Sequence, residues 1–283
     1  MKNILLPTDF SDNSWNAIQY AVELFKDEKC NFFLLNTYTP IIYDVEYMNV
    51  GAASFGLIDA MREASEKGVS KLQKKIEKKY VNSDHKFIQI SSFNTLTFEI
   101  QELSEAKPMD YIVMGTKGAT GLDEVLFGSN TVHVIKKAKC PVLAIPSGFS
   151  FEAPKEILFP SDYEISFKKK QVKPIVDIAL SQTSKVHVLN VSYGYDLSEK
   201  QEKNKQKLNT LFNTISHVFH SVPDQNVTEA ISEFQQKTRV NLLVMINNKH
   251  SFFENLFFKS KIKEIGFHLN VPFLVIPSNT KKD

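Results

Sequence analysis

One eight-residue pattern occurs twice. Lys2–Asp9 reads KNILLPTD and Lys155–Asp162 reads KEILFPSD. Three further segments return in the same order. Leu34-Leu35-Asn36-Thr37 returns as Val188-Leu189-Asn190-Val191, Asp110–Met114 as Asn241–Met245, and Cys140–Pro146 as Val271–Pro277. The chain is an internal duplication, so both halves must share one architecture. Its 283 residues suit two domains better than one core. Within each half, short apolar runs alternate with helical patterns. That alternation implies right-handed crossovers and a doubly wound parallel sheet, placing the protein in the α/β class.

The first half sets out five strands: Lys2–Pro7, Phe32–Thr37, Lys86–Ser91, Asp110–Met114 and Pro141–Ile145. Between the first two, Ser11 or Asp12 is placed to cap a helix, and Ala17, Ile18, Ala21, Val22 and Phe25 fall on one face. Leu57 to Tyr80 reads as a long charged helix, and Thr95 to Ala106 as a shorter one. Residues 38–56, with Pro40, Gly51 and Gly56, are too long for an ordinary connector, which points to a lid or an interface. The domain reading is 1–147, a linker at 148–154, a second domain at 155–279 and a polar tail at 280–283.

The most chemically informative stretch follows the fourth strand. Met114 to Asn130 carries Gly115, Gly118, Gly121 and Gly128, and a helical pattern begins beyond it. Glycine permits positive φ and close backbone approach to a ligand. The N–H groups at a helix start favour an anion. Strand, glycine loop and helix start together read as a phosphate site. In the second half, the gap-free alignment puts Ile246, Lys249, Phe252 and Lys259 at the four glycine positions; only Ser260 matches, at Ser129. Bulk there blocks backbone approach, so the second copy is expected not to hold nucleotide in the same way.

The spacing G-x-x-G, nine residues, G-S closely resembles the nucleotide motif in the ATP-binding branch of the universal stress protein family. The tandem resemblance covers nearly the whole chain. It implies two five-stranded parallel sheets of order 3-2-1-4-5, like those of adenine nucleotide alpha hydrolases. Ligands then sit where strand order reverses, between strands one and four. Carried onto this sequence, the resemblance implies that Asp9 binds ribose hydroxyls or, through a cation, phosphates. Pro7 and Thr8 shape the adenosine wall, Thr37 meets adenine and Met114 packs on base or sugar. Gly115, Gly118 and Gly128 admit the phosphates, with Ser129 and Asn130 donating to them. Lys117 adds a charge or faces solvent. The cofactor implied is ATP, with or without Mg²⁺. The resemblance also implies that Val142–Ile145 pairs with Phe273–Ile276 inside the chain, with room for a homodimer.

The function expected is an ATP-binding regulatory protein of the stress response, its second domain serving packing or an unknown protein partner. The competing readings are a slow ATPase or a nucleotidyl or phosphoryl transferase, and a scaffold with a vestigial site. Catalytic residues cannot be nominated: there is no G-x-x-x-x-G-K-[ST], and Asp123 and Glu124 fit a solvent-facing loop. A net charge of +2 gives no electrostatic case for nucleic acid, and the lysine clusters fit solvated helix faces. Cys30 and Cys140 lack a C-x-x-C partner and read as buried thiols. His217 and His220 fall on opposite faces of a strand, so no metal is expected there. No run nears the ~20 apolar residues of a membrane span, and the expected location is cytoplasmic.

Overall fold

Strand β1 (Lys2–Pro7) carries Ile4, Leu5 and Leu6, and all three are completely buried. A strand apolar on successive residues can lie only inside a sheet covered on both faces. It pairs in parallel with β2 (Cys30–Thr37) on one side and with β4 (Tyr111–Gly115) on the other. β2 in turn pairs in parallel with β3 (His85–Ser92). This computed structural model describes residues 1–39, 52–116, 127–192, 196–223, 226–247 and 270–278. They fall in two compact units, Met1–Ala138 and Lys139–Asp283.

Helix α1 (Asp12–Leu24) starts where Ser11 accepts from the Ser14 N–H as N-cap, with Asp12 in the first turn. It buries Ala17, Ile18, Ala21 and Val22, the face expected from their spacing. Each Ile or Val so buried contributes roughly 1.5–3 kcal/mol. Helix α2 spans Ala52–Lys79. It therefore begins five residues before the expected start at Leu57 and takes in Gly56, which helix propensity disfavours. Its inward stripe is narrow: Ser65, Val69, Leu72 and Ile76. Gly68 lies among them because the Phe10 ring rests on the helix; a β-carbon there would meet that ring at 2.5 Å. Helices α3 (Leu96–Ala106) and α4 (Ser129–Lys137) complete the first unit.

The second unit holds β5 (Val142–Ile145), β6 (Glu156–Pro160), β7 (Lys185–Ser192), β8 (Ser216–Pro223), β9 (Leu242–Asn247) and β10 (Phe273–Pro277). Its helices are α5 (Lys169–Gln182), α6 (Glu199–Leu211) and α7 (Val227–Thr238). The strand order of the first copy is β3-β2-β1-β4-β5, and that of the second is β8-β7-β6-β9-β10. Both are the expected 3-2-1-4-5. β5 and β10 pair antiparallel, Ala144 opposite Phe273 and Val142 opposite Val275, as the resemblance implied. The sheet is therefore mixed at that one junction and parallel at the other described pairings. Both cysteines are buried and outside any disulfide, and burial, then the nearby Glu28 charge, pushes Cys30 up to about 12.

The two helical glycines separate propensity from packing. A β-carbon at Gly56 meets nothing within 4 Å. Gly56→Ala is expected to raise stability by up to ~1 kcal/mol. Gly68→Ala must displace the Phe10 ring and is expected to forfeit that gain. Thermal midpoints of the two variants check this; equal increases would refute the packing role of Gly68.

Candidate functional site

The parallel register brings the carboxyl ends of β1, β2 and β4 side by side. Pro7 closes β1 opposite Leu35, and Thr37 closes β2 opposite Ser92 of β3. Met114 and Gly115 close β4; both are buried, Met114 at 6% exposure. Because β1 lies between β2 and β4, the turn after Pro7 sits at the reversal of strand order, the place where sheets of this kind bind ligands.

That turn is closely tied. The Thr8 N–H donates to Leu35 O at 2.8 Å, and the buried Asn36 amide donates to Thr8 O at 2.7 Å. Thr8 Oγ1 accepts from the Phe10 N–H and contacts Ser14 Oγ, both at 3.0 Å. Phe10 takes a left-handed φ of 62°, a cost of order 1–2 kcal/mol that only a fixed turn sustains. Asp9 Oδ1 accepts from the Ser11 N–H at 3.1 Å and the Ser11 hydroxyl at 2.5 Å. Desolvation pushes the Asp9 carboxyl up. Hydrogen bonds from the Ser11 side chain and backbone and from Ser14 outweigh it, leaving Asp9 below the usual carboxylate range.

Opposite this turn stands the start of α4. Gly128 is its N-cap in extended conformation, and its N–H donates to Thr116 O at 2.7 Å. Thr131, buried in the first turn, donates through Oγ1 to Gly115 O at 2.9 Å, fastening helix to strand. Among the described residues no side chain caps the helix, and its first turn carries no acid. Ser129 and Asn130 are exposed, and no acceptor among the described residues takes their N–H groups. Lys136 and Lys137 lie in the last turn, where cations complement the dipole. The arrangement is ready for an anion, and the residues present fit a nucleotide's phosphates.

The structure thus brings Pro7, Thr8, Asp9, Thr37, Met114, Gly115, Gly128, Ser129 and Asn130 to one end of the first unit. Gly118, Lys117, Asp123 and Glu124 lie outside the described residues, as do residues 40–51 of the expected lid or interface and the stretch from Lys249 to Lys259. Sequence reasoning missed Asn36, Ser14 and Thr131 as the groups that hold the site. Asn36 had a signal: a polar residue inside an apolar run, repeated as Asn190.

A doubly wound α/β unit with an uncapped helix start at its switch point is the class so defined. The model of the Universal stress protein family matches residues 1–146. Universal stress protein MJ0531 of Methanocaldococcus jannaschii is 35% identical over 147 residues, covering 51% of this chain and 81% of that protein. Universal stress protein MJ0577 of the same organism is 29% identical over 157 residues, covering 51% and 94%. A universal stress protein structure from Archaeoglobus fulgidus covers 97% of this chain and 96% of its own, with TM-score 0.67 at 19% identity. That likeness of fold extends over both halves. The chain belongs to the universal stress protein family.

The depressed Asp9 carboxyl gives a pH signature. A lowered folded-state value contributes stability that is present above the ordinary value of about 4 and is lost as pH falls through the folded value. Asp9→Asn is therefore expected to lower the thermal midpoint at pH 7, with the difference from wild type shrinking at pH 3. A difference that stays constant between the two pH values contradicts it.

Proposed function

We propose that the first copy, read from the sequence as a domain at 1–147, binds ATP, and that the second, read as a domain at 155–279, serves packing or partner binding. The observation that carries this is the meeting of two features at the switch point: the fixed Asp9 turn and the open, acid-free start of α4 beside the G-x-x-G, nine, G-S motif. Pro7, Thr8, Thr37 and Met114 would bound the nucleoside. Gly115, Gly118 and Gly128 would leave room for the phosphates, and Ser129 and Asn130 would donate to them. Asp9 would take the ribose hydroxyls, or a Mg²⁺ carried by the phosphates.

Binding, rather than turnover, is the reading the geometry favours. Asp9 Oδ1 is already engaged by two Ser11 donors, which suits a fixed recognition group better than a base that must move a proton. Family membership supports a regulatory role in the stress response and work in the cytoplasm. Internal pairing of β5 with β10 leaves further dimerisation through other surfaces.

Denaturing freshly purified protein and resolving the released nucleotide by ion exchange tests occupancy; titration with ATP tests affinity. Adenine nucleotide near one per chain, or saturable binding, is expected, and neither appearing removes the reading. Gly128→Val places a branched side chain at the start of α4. It is expected to weaken ATP binding by roughly tenfold or more, about 1.4 kcal/mol. Wild-type affinity in that variant would show that the phosphates lie elsewhere.

A further inference from the structure

The second unit contains a chain of titratable groups, centred on one buried histidine, that plays no part in the nucleotide reading. His187 on β7 is 5% exposed. Its Nε2 lies 2.6 Å from Glu156 Oε2 on β6, and its Nδ1 lies 2.9 Å from His220 Nε2 on β8. The Phe234 ring of α7 covers both imidazoles, with centroids 5.4 Å from His187 and 4.8 Å from His220. The chain therefore spans three strands and the helix over them.

With both rings neutral, donor logic fixes the proton positions. A carboxylate only accepts, so His187 Nε2 carries a proton and donates to Glu156. The neutral ring then accepts at Nδ1, so His220 Nε2–H is the donor. One further proton can be held on the two rings beside the Glu156 carboxylate. A second would set N–H against N–H across 2.9 Å and break the link.

The duplication supplies a control. Register matches Leu5 opposite Phe33 with Leu158 opposite His187, and Leu35 opposite Ile90 with Leu189 opposite His220. Glu156 occupies the place of Asn3. The first copy thus builds the same face from Asn3, Phe33 and Ile90, and nothing at those places titrates near neutral pH. Ionisable groups that replace apolar ones inside a fold are costly and are not required by it.

We propose that Glu156, His187 and His220 form a proton-sensitive latch, which fastens strand β8 and helix α7 to the second unit at neutral pH and loosens them in mild acid. β8 is the terminal strand of its copy, pairing with β7 among the described strands, so it is the strand that can yield. The groups facing the latch are Glu156 from β6, Lys185 and His187 from β7, His220 from β8 and the neutral Phe234 from α7. His217 turns to the other face, toward Asn209 and the Ile215 carbonyl. Glu233 and Lys237 of α7 pair with each other at the surface. Burial first, then the neighbouring His187 and Lys185, hold His220 below its ordinary value. A lowered histidine value means that stability is whole above about pH 6.5 and falls as pH drops toward the folded value.

Hydrogen exchange of the full chain at pH 7.5 and 5.5, corrected for intrinsic rates, reads the latch directly. Amides of β8 and α7 are expected to lose protection at least tenfold at pH 5.5, while β1 and β2 do not change. His220→Gln keeps a donor for His187 Nδ1 without a titrating ring, and is expected to abolish the pH response. The double change His187→Phe with His220→Ile, which copies the first half, should do the same. Equal protection of wild type at both pH values, or an acid response that survives His220→Gln, overturns the proposal.

Discussion

The buried amide of Asn36 donating to the Thr8 carbonyl is the bond on which the site's geometry depends. It ties the end of β2 to the turn leaving β1 at the point where strand order reverses. A buried carbonyl left without a partner would cost about 1–3 kcal/mol, so the turn cannot drift without loss. The other features of the turn are built around that tether: the left-handed Phe10, and the Thr8 hydroxyl under the Phe10 N–H.

The second copy repeats the backbone part of this arrangement, without the Ser11 and Ser14 hydroxyl bonds, because Glu164 and Phe167 stand at those places. Asn190 donates to Ser161 O at 2.9 Å, and the Ser161 N–H to Leu189 O at 2.8 Å. The Tyr163 N–H reaches Ser161 Oγ at 3.1 Å, and the Glu164 N–H reaches Asp162 Oδ1 at 3.0 Å. Tyr163 is left-handed, with φ 54°. The backbone frame of the turn therefore belongs to the fold, and the Ser11 hydroxyl that fixes the Asp9 carboxylate is particular to the first copy. The two copies part at the fourth strand instead. β4 stops at Gly115, whereas β9 continues through Ile246 to Asn247, paired with Ile276 and Pro277 of β10. A β-branched side chain at the first glycine position extends the strand where glycine ends it.

Most of the fold was legible because it rests on local pattern. The apolar runs gave the strands, and the repeat fixed the order of the second copy from the first. The boundaries shifted where tertiary partners override propensity. β2 begins at Cys30, before the apolar run, because the Asn31 amide is satisfied by the Asn3 side chain at 2.9 Å. α2 accepts Gly56 and starts early. The Asp9 turn and the start of α4 were readable as a pair only through the resemblance, since over a hundred residues separate them. The Glu156–His187–His220 chain was not readable at all. Its members are joined by strand register, and the visible pattern, His217 and His220, grouped two residues that face opposite ways.

What the two halves share and where they differ obey one physical rule. The Asn-to-carbonyl tether and the apolar central strands are common to both, and removing either would expose unsatisfied backbone or empty the core. The glycine positions and the face occupied by His187 and His220 lie outside that set: among the described residues no bond of the turn uses Gly115 or Gly128, and the sister copy fills the histidine face with Phe33 and Ile90. Divergence was therefore free at these places and constrained elsewhere. A duplicated chain can in this way retain one anchored turn in both halves while one keeps glycines after its fourth strand and the other builds a linked pair of imidazoles into its sheet.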